Sequence, residues 1–555
     1  MQRDLKRLAD EHYDLLIIGG GINGLATAWD AVLRGLQVAL IEKSDYGAAT
    51  SSATLKLVHR GLRYLQHLDI VRMRESIRER SNMLWLAPHL VSPLPFLVPT
   101  HGHLINGKAA MSAAIMLNDI ISWDRNRRLD DPERRLPGGR AWLSRRKTQR
   151  LVPELDMDKM TGGVLFYDAQ MYNSERLSLA FAISAADRGA DLANYLRADR
   201  LIKHNGAITG AAVSDLLSGQ RFEINADMVL NMTGPWSDIM LDQIGETSPP
   251  RKVIRSKGIQ IVTPKLTEIG LAVPSSHRDP DAVVDVGGRR YFITPWRGHS
   301  LIGTTDTVYE GDPDDFHIGA QDIEDFIAEI NICYPSAKLS PEDVSFAFGG
   351  LRPITEANID SGSTVSRKYE IYDHARDLGI EGLVSVIGVK YTTCRFLAEK
   401  VVDLVFAKMG KQSPRPATAS TRLLGGEIDR IGDFVSEAVL QDDGLYGEKA
   451  VCHLVYNYGT QYRNVLGMVD EDSGLGTFVK GSDEVLRAEI LHAIRSESAC
   501  HLDDIVLRRT DLGTLGDPGE DAIRDCAEIA ASELGWDDFM RDNEIDRARR
   551  CFRFE

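Results

Sequence analysis

No apolar run in this 555-residue chain is long enough to cross a bilayer, so no transmembrane helix is expected. The opening stretch, MQRDLKRLADEHYD, lacks the hydrophobic core that a secretory signal needs. Cysteine is scarce: Cys333, Cys394, Cys452, Cys500, Cys526 and Cys551 are scattered and form no C-x-x-C pair. That set suits a reducing cytosol and argues against a structural metal, so no metal site is expected. Positive charge is in deficit as well, and a formal net charge of −16 argues against a broad nucleic-acid surface. Internal repeats and low-complexity tracts are missing. What remains is a cytoplasmic globular chain too long for one compact core, so two or three domains are expected.

The stretch that organises the rest is YDLLIIGGGINGLATAWDAVLRGLQVALIEK, residues 13–43. Leu15 to Ile18 read as a buried strand, Gly19, Gly21 and Gly24 supply G-x-G-x-x-G, and a helical segment runs to about Leu33. Val38 to Ile41 form a second strand that ends at Glu42. This is a complete β-α-β dinucleotide pattern rather than a bare glycine triplet. Gly19 permits the tight turn, Gly21 lets backbone approach a pyrophosphate, and Gly24 lets helix pack on strand. The exposed N–H groups and the helix dipole hold phosphate, and Glu42 can accept ribose hydroxyls.

After Glu42, the Thr50-Ser51-Ser52 cluster falls where a loop should meet the cofactor. Lys56, His59, Arg63 and Tyr64 follow within nine positions. So many titratable groups suggest an active-site edge, although a solvated helix start reads equally well from composition. Residues 72–87 look like an amphipathic helix, and PHLVSPLPFLVPTHGHL is extended. Residues 107–123 form an apolar helix broken at Asn118-Asp119, followed by a basic run from Arg125 to Arg150. That pair could rest on an anionic membrane or could be a core helix and a solvated loop. Residues 161–232 return to strand and helix, with DMVLNMTG a buried strand that ends near Thr233 and Gly234. Residues 252–310 alternate in the antiparallel manner, with Arg297-Gly298 as a hairpin turn. LVSVIGVKYTT carries a strand from Leu383 to Ile387, then Gly388, Lys390 and a helix start near Thr392. Residues 407–427 read as a linker and 428–555 as a helical domain.

GGGINGLATAWDAVLRGLQVALIEKSDYGAATSSATLKLVHRGLRYL closely resembles the opening of FAD-dependent glycerol-3-phosphate dehydrogenases. The resemblance continues through VLNMTGPWSD, RYFITPWRGHSLIGTTDT, GGLRPI, SRKYEI and LVSVIGVKYTTCRFLAEKV. It extends to YGTQYRNVL, AEILHAIRSESACHLDDIVLRRTDLG and ELGWD, in the family's order. It implies an α/β FAD-binding, Rossmann-type (glutathione-reductase-like) domain, an inserted antiparallel-sheet substrate domain and a C-terminal helical domain. The expected bounds are 1–405 for the FAD-binding domain, with inserted pieces at about 88–165 and 245–350, a linker at 406–427 and a cap at 428–555.

The resemblance also implies the chemistry: FAD as cofactor, a small phosphorylated polyol as substrate, and a quinone or other electron acceptor. Bacterial members are peripheral membrane enzymes, which adds contact at the inner membrane. A homodimer is left open as the assembly. On the matching positions, the cofactor residues are Gly19, Gly21, Asn23, Gly24, Glu42, Lys43, Thr50, Ser51, Ser52, Lys56, Leu57, Thr233, Gly234, Gly388, Lys390, Tyr391 and Thr392. Two or more of Arg63, Arg352 and Arg367 are expected to hold the phosphate, Tyr64 and Lys390 to orient polyol and flavin, and His59 to act as base. Four places depart from the family pattern. Gln260 stands where histidine is usual, Arg60 replaces a glycine in H-G-G, Val389 replaces one in G-G-K, and Tyr172-Asn173-Ser174 replaces an acidic pair. These bear on the substrate more than on the fold. Another polyol phosphate such as a tetritol phosphate, an amino- or hydroxy-acid oxidase, and a flavin-bound paralogue of little turnover are the competing readings.

Overall fold

The computed structural model describes residues 1–61, 69–101, 108–138, 141–155, 160–242, 253–275, 290–355, 369–388 and 390–554. Arg63, Tyr64, Arg367 and Val389 lie outside the described residues.

The strands, in chain order, are β1 (His12–Ile18), β2 (Val38–Ile41), β3 (Leu57–Val58), β4 (Val91–His101), β5 (Ala141–Ser144) and β6 (Met160–Met171). Next come β7 (Asp191–Ala193), β8 (Leu196–His204), β9 (Ala207–Asp215), β10 (Arg221–Asn231), β11 (Val253–Pro264) and β12 (Gly270–Pro274). The last are β13 (Arg290–Trp296), β14 (His299–Gly303), β15 (Thr307–Tyr309), β16 (Phe346–Thr355), β17 (Glu370–Asp373) and β18 (Leu383–Ile387).

The first sheet has the order β17-β18-β10-β1-β2-β7, with β9 on β10 and β8 on β9. β18, β10, β1, β2 and β7 run parallel, though they come from distant parts of the chain. They can be apolar on both sides because both faces are covered. Leu15, Ile17, Leu40, Leu230 and Val384 meet the helices Ile22–Leu33, Ser174–Asp187 and Cys394–Lys408. Leu16, Ile18, Ala39, Ile41 and Val229 meet a second layer formed by β8 and β9.

The second sheet has the order β15-β11-β14-β13-β12-β4-β6-β3, with β16 on β11 and β5 on β6. Its alternation divides its labour. Ile259, Ile261, Leu271, Ile293 and Ile302 face the Ala320–Cys333 helix through Ile323, Phe326, Ile327 and Ile330. The opposite face carries Phe96, Phe166, Val262, Trp296, Leu301 and Phe346. Gly258, Gln260, Gly350, Arg352 and Asp168 share that face by strand period. It presses on the loop after β2. A Cβ on Gly350 would lie 3.0 Å from Thr50 Cα, and one on Gly303 would lie 2.8 Å from Leu55 Cδ2. The second sheet is thus a roof over the cofactor loop.

Three expectations are corrected. The helix at residues 107–123 is not broken: Lys108–Ile121 is continuous, because Asn118 spends its side chain on Arg60 rather than on the helix backbone. The basic run is not uniformly solvated, since Arg134 is buried and donates to the Pro88 and Leu84 carbonyls. Residues 409–427 lie packed on the first domain. Thr418 Oγ1 donates to Asp30 at 3.0 Å, and the Leu424 N–H donates to Ser184 Oγ at 2.9 Å. Arg297 and Gly298 do form the hairpin turn between β13 and β14, both at positive φ.

Beyond residue 430 the chain is helical, with two hydrophobic cores. Its Asp504–Arg509 turn has the wider π winding and enters the first domain through ion pairs.

Candidate active site

The glycine turn joins β1 to the Ile22–Leu33 helix, and its glycines answer to different neighbours. Gly19 has φ +116, and a Cβ there would lie 2.4 Å from the Met232 carbonyl oxygen. A Cβ on Gly24 would lie 2.0 Å from the Gly19 carbonyl oxygen, so only glycine lets the helix press onto the turn. Gly21 is the helix N-cap and supplies no side-chain cap. The Ile22 N–H donates to Ser51 Oγ at 2.9 Å. With glycine at the N-cap, the helix dipole and the first-turn amides would make an anion cradle here.

Glu42 does more than end β2. Its Oε2 accepts the Gly20 N–H at 2.7 Å and its Oε1 accepts the Ser44 N–H at 2.8 Å, so it braces the turn. Burial raises its pKa, and the two amide bonds oppose that rise. The other two cofactor segments arrive by parallel pairing. After β10, Asn231 Oδ1 accepts the Thr233 hydroxyl at 2.7 Å, and Gly234 follows at φ +57. After β18, Gly388 abuts Asn23; a Cβ there would fall 2.3 Å from Asn23 Nδ2. Asn23 Oδ1 is buried with no hydrogen-bond partner among the described residues, an acceptor left for an incoming donor.

Other expected cofactor residues are engaged in holding this loop. Thr50 Oγ1 donates to the Leu351 carbonyl at 2.6 Å, and Ser52 Oγ to the Ala48 carbonyl at 3.0 Å. Lys56 is buried and donates to Ser174 Oγ at 2.7 Å and Glu175 Oε2 at 2.6 Å; Leu57 pairs with Gln170. Tyr391 Oη donates to the Ser174 carbonyl at 3.0 Å. Lys43 pairs with Asp314 and lies 4.1 Å over the Trp236 ring.

Toward the roof, the His59 N–H donates to Thr392 Oγ1 at 3.3 Å, which ties the loop to the third cofactor segment. The Gly61 N–H donates to His59 Nδ1 at 3.1 Å, which puts the proton of the neutral ring on Nε2. Lys390 Nζ donates to Ser76 Oγ at 2.5 Å. Burial lowers its pKa to about 7, only partly offset by Glu75 and Asp168. Arg352 donates to the Thr305 carbonyl at 2.7 Å and to Asp306 at 3.0 Å. Gln260 Nε2 donates to Thr304 Oγ1 at 2.9 Å, and its Oε1 is buried without a partner among the described residues. The structure therefore brings the His59 backbone to Thr392, two residues past Lys390, and sets Arg352 on the same roof face as Gln260. Sequence reasoning missed Asp168, which accepts the Arg60 N–H at 2.9 Å and Arg80 Nη1 at 2.7 Å, and missed Ser76 and Asp306.

A helix start with glycine as its N-cap, three glycine-lined segments converging in parallel, and an orphaned acceptor at Asn23 are what would hold an adenine dinucleotide. Fold and site define an FAD-dependent oxidoreductase. The model of the FAD dependent oxidoreductase family matches residues 14–389, and that of the C-terminal domain of alpha-glycerophosphate oxidase matches residues 416–541. Glycerol-3-phosphate dehydrogenase of Synechocystis sp. is 34% identical over 98% of this chain and 97% of its own length. Glycerol-3-phosphate dehydrogenase 2 of Mycobacterium bovis is 31% identical over 97% of this chain and 88% of its own. The glycerol-3-phosphate dehydrogenase from Bacillus halodurans, solved with FAD, superimposes with a TM-score of 0.77 at 23% identity, covering 98% of this chain and 95% of that one. The chain belongs to the FAD-dependent glycerol-3-phosphate dehydrogenase family, and its cofactor is FAD.

Proposed function

We propose that this protein oxidises sn-glycerol 3-phosphate to dihydroxyacetone phosphate, with electrons leaving to a quinone-type acceptor. When bound, FAD supplies the hydride acceptor for the carbinol C–H. The observation that carries the reading is the convergence of three parallel strand ends under the roof, the last of them leading to Lys390, a half-buried amine whose pKa desolvation lowers to about 7. A neutral amine at Nζ takes the substrate hydroxyl proton as the hydride departs. His59, with its proton on Nε2, serves better as a donor to a substrate oxygen. Arg352, and Arg63 and Arg367 from the sequence, supply fork-shaped donors for a phosphate.

Anaerobic bleaching of the bound flavin tests this. Glycerol 3-phosphate should bleach it within seconds, and a tetritol phosphate should do so less readily. Glycine, proline and glycolate should leave it yellow. Bleaching by an amino acid or hydroxy acid alone would overturn the reading.

We further infer peripheral contact with an anionic bilayer. Among the described residues no helix is long and apolar enough to cross a membrane. The Lys108–Ile121 helix nevertheless exposes Met116 and Ile120 by 66% and 70%, and Trp123 just beyond it by 74%. Exposed Arg127, Arg128, Arg145, Arg146, Lys147 and Arg150 follow in the chain. Co-flotation with vesicles tests the contact.

A further inference from the structure

Arg60 is only 2% exposed, and a guanidinium buried that deeply needs acceptors for its five N–H groups. It has few. Nη1 donates to Asn118 Oδ1 at 2.5 Å, and the guanidinium lies 4.4 Å from the centre of the Phe166 ring. Nε and Nη2 have no partner among the described residues. The neighbouring carboxylate does not complete the shell. Asp168 Oδ1 already takes the Arg60 backbone N–H and Arg80 Nη1. Arg80 Nε and Asn118 Nδ2 are likewise buried and unpartnered. Burial lowers the Arg60 pKa to about 10, with Asp168 opposing, so the group stays cationic at neutral pH.

The unfilled positions are therefore all donors: Arg60 Nε and Nη2, Arg80 Nε and Asn118 Nδ2. A water molecule satisfies such a set poorly, since it must donate two hydrogen bonds of its own. An oxyanion, which only accepts, satisfies it well. The place is also apt. Arg60 follows His59, whose N–H reaches Thr392 in the third cofactor segment, and Asp168 lies close enough to Lys390 to shift its pKa.

We propose that Arg60 is a specificity-determining residue that takes an oxyanion oxygen of the substrate on its Nε–Nη2 edge. The inference rests on the polyol-phosphate reading, the oxyanion being that substrate's own phosphate. A chain with glycine at this place would lack the contact, so this protein should demand a dianionic substrate more strictly.

Arg60→Met makes a clean test. It keeps the backbone N–H to Asp168, leaves that carboxylate paired with Arg80 and retains a stem over Phe166. With FAD-loaded protein, calorimetric titration with inorganic phosphate should show the Kd rising at least tenfold in R60M. The KM for glycerol 3-phosphate should rise by a similar factor while kcat stays within threefold. Arg60→Lys should recover part of both. Flavin content and Tm of each variant establish that the protein is folded and loaded. Wild-type phosphate affinity and KM in loaded R60M would overturn the proposal and leave the polyol-phosphate reading standing. So would phosphate that binds through Arg60 without competing with substrate. Arg60-dependent phosphate binding in a protein that no polyol phosphate bleaches would do the reverse: it would keep the anion site and remove the substrate reading.

Discussion

Arg509, from the C-terminal helical region, grips Asp45 with both terminal nitrogens, each at 2.7 Å, and both side chains are fully buried. Arg508 Nε adds a third bond to Asp45 at 2.7 Å. Asp45 sits in the cofactor loop, two residues before Gly47, whose N–H donates to the Gly20 carbonyl at 2.9 Å. A region more than 460 residues away in sequence thereby braces the glycine turn after β1. Removing one partner of a buried pair costs about 3–5 kcal/mol, because the other charge is left unpaired. Arg509→Met should therefore lower Tm by several degrees and weaken FAD retention together, read by melting and by flavin released on gel filtration. A variant with an unchanged flavin dissociation constant would show that the clamp acts on stability alone.

The same pair sets an acid limit. Against the desolvation of burial, Arg509 and Arg508 hold the Asp45 carboxyl well below its usual range, and Arg176 does the same for Glu497. A carboxylate with a depressed folded pKa contributes stability that is fully present above its unfolded value. That stability is lost as pH falls toward the folded one. Denaturant midpoints should hold down to about pH 4.5 and fall below it. Glu497→Gln should be less stable at neutral pH and lose less on acidification. A parallel pH curve for wild type and variant would refute the assignment.

Gly24 and Gly21 should respond differently to the same added methyl group. A Cβ on Gly24 would drive into the Gly19 carbonyl at 2.0 Å, a backbone clash that cannot rotate away. A Cβ on Gly21 would meet only the Ser51 hydroxyl at 3.3 Å, which can turn aside. Gly24→Ala should cost about 1–3 kcal/mol or more of stability as well as flavin. Gly21→Ala should keep its melting profile as apoprotein and lose affinity for FAD. The comparison of apoprotein Tm with flavin affinity separates packing from ligand approach.

Flavin reduction should depend on a group that titrates near pH 7. Lys390 must be neutral to accept a proton, so the reductive rate should fall about tenfold per unit below pH 7 and level off above it. Lys390→Met should slow reduction by about 10²-fold or more and erase the inflection. His59→Asn should slow it but keep the inflection. Stopped-flow reduction from pH 5.5 to 9 distinguishes them, and an inflection that survives in K390M would return the role of base elsewhere.

What was legible in the sequence was local. Gly19, Gly21 and Gly24 lie within six positions of each other, so their spacing alone specifies the turn. Gly388 and Lys390 follow a strand whose apolar run is readable by itself. Asp168 was not legible. One aspartate in GGVLFYDA looks like any polar strand residue until Arg60 and Arg80, 108 and 88 positions away, are folded onto it. Asn118 misled for a related reason: its helix-breaking tendency assumes that the side chain competes with the backbone, and a tertiary arginine takes that side chain instead. Residues 409–427 have a linker's composition, yet Thr418 and Leu424 find partners on Asp30 and Ser184 that no local pattern announces.

The exposed face of the Lys108–Ile121 helix carries the last prediction. Met116 and Ile120 fall four apart on one side of the helix and exposed Trp123 follows just past its end, while Ile115 and Asn118 face inward and are buried. Val71, 79% exposed, lies on a neighbouring helix whose Arg74, one turn further along, donates to the Ile121 carbonyl at 2.5 Å. An apolar side chain entering the interface gains about 1.5–3 kcal/mol, and each nearby arginine or lysine adds about 1 kcal/mol against anionic lipid. Three or four of the first kind with several of the second reach micromolar binding without any spanning segment. The protein should co-float with vesicles containing phosphatidylglycerol, bind pure phosphatidylcholine much less, and release as salt is raised. Ile120→Glu together with Trp123→Glu should abolish flotation while flavin content and bleaching by glycerol 3-phosphate remain. Binding that persists in that variant would place the contact on another surface, and equal binding to neutral vesicles would remove the basic residues from the account.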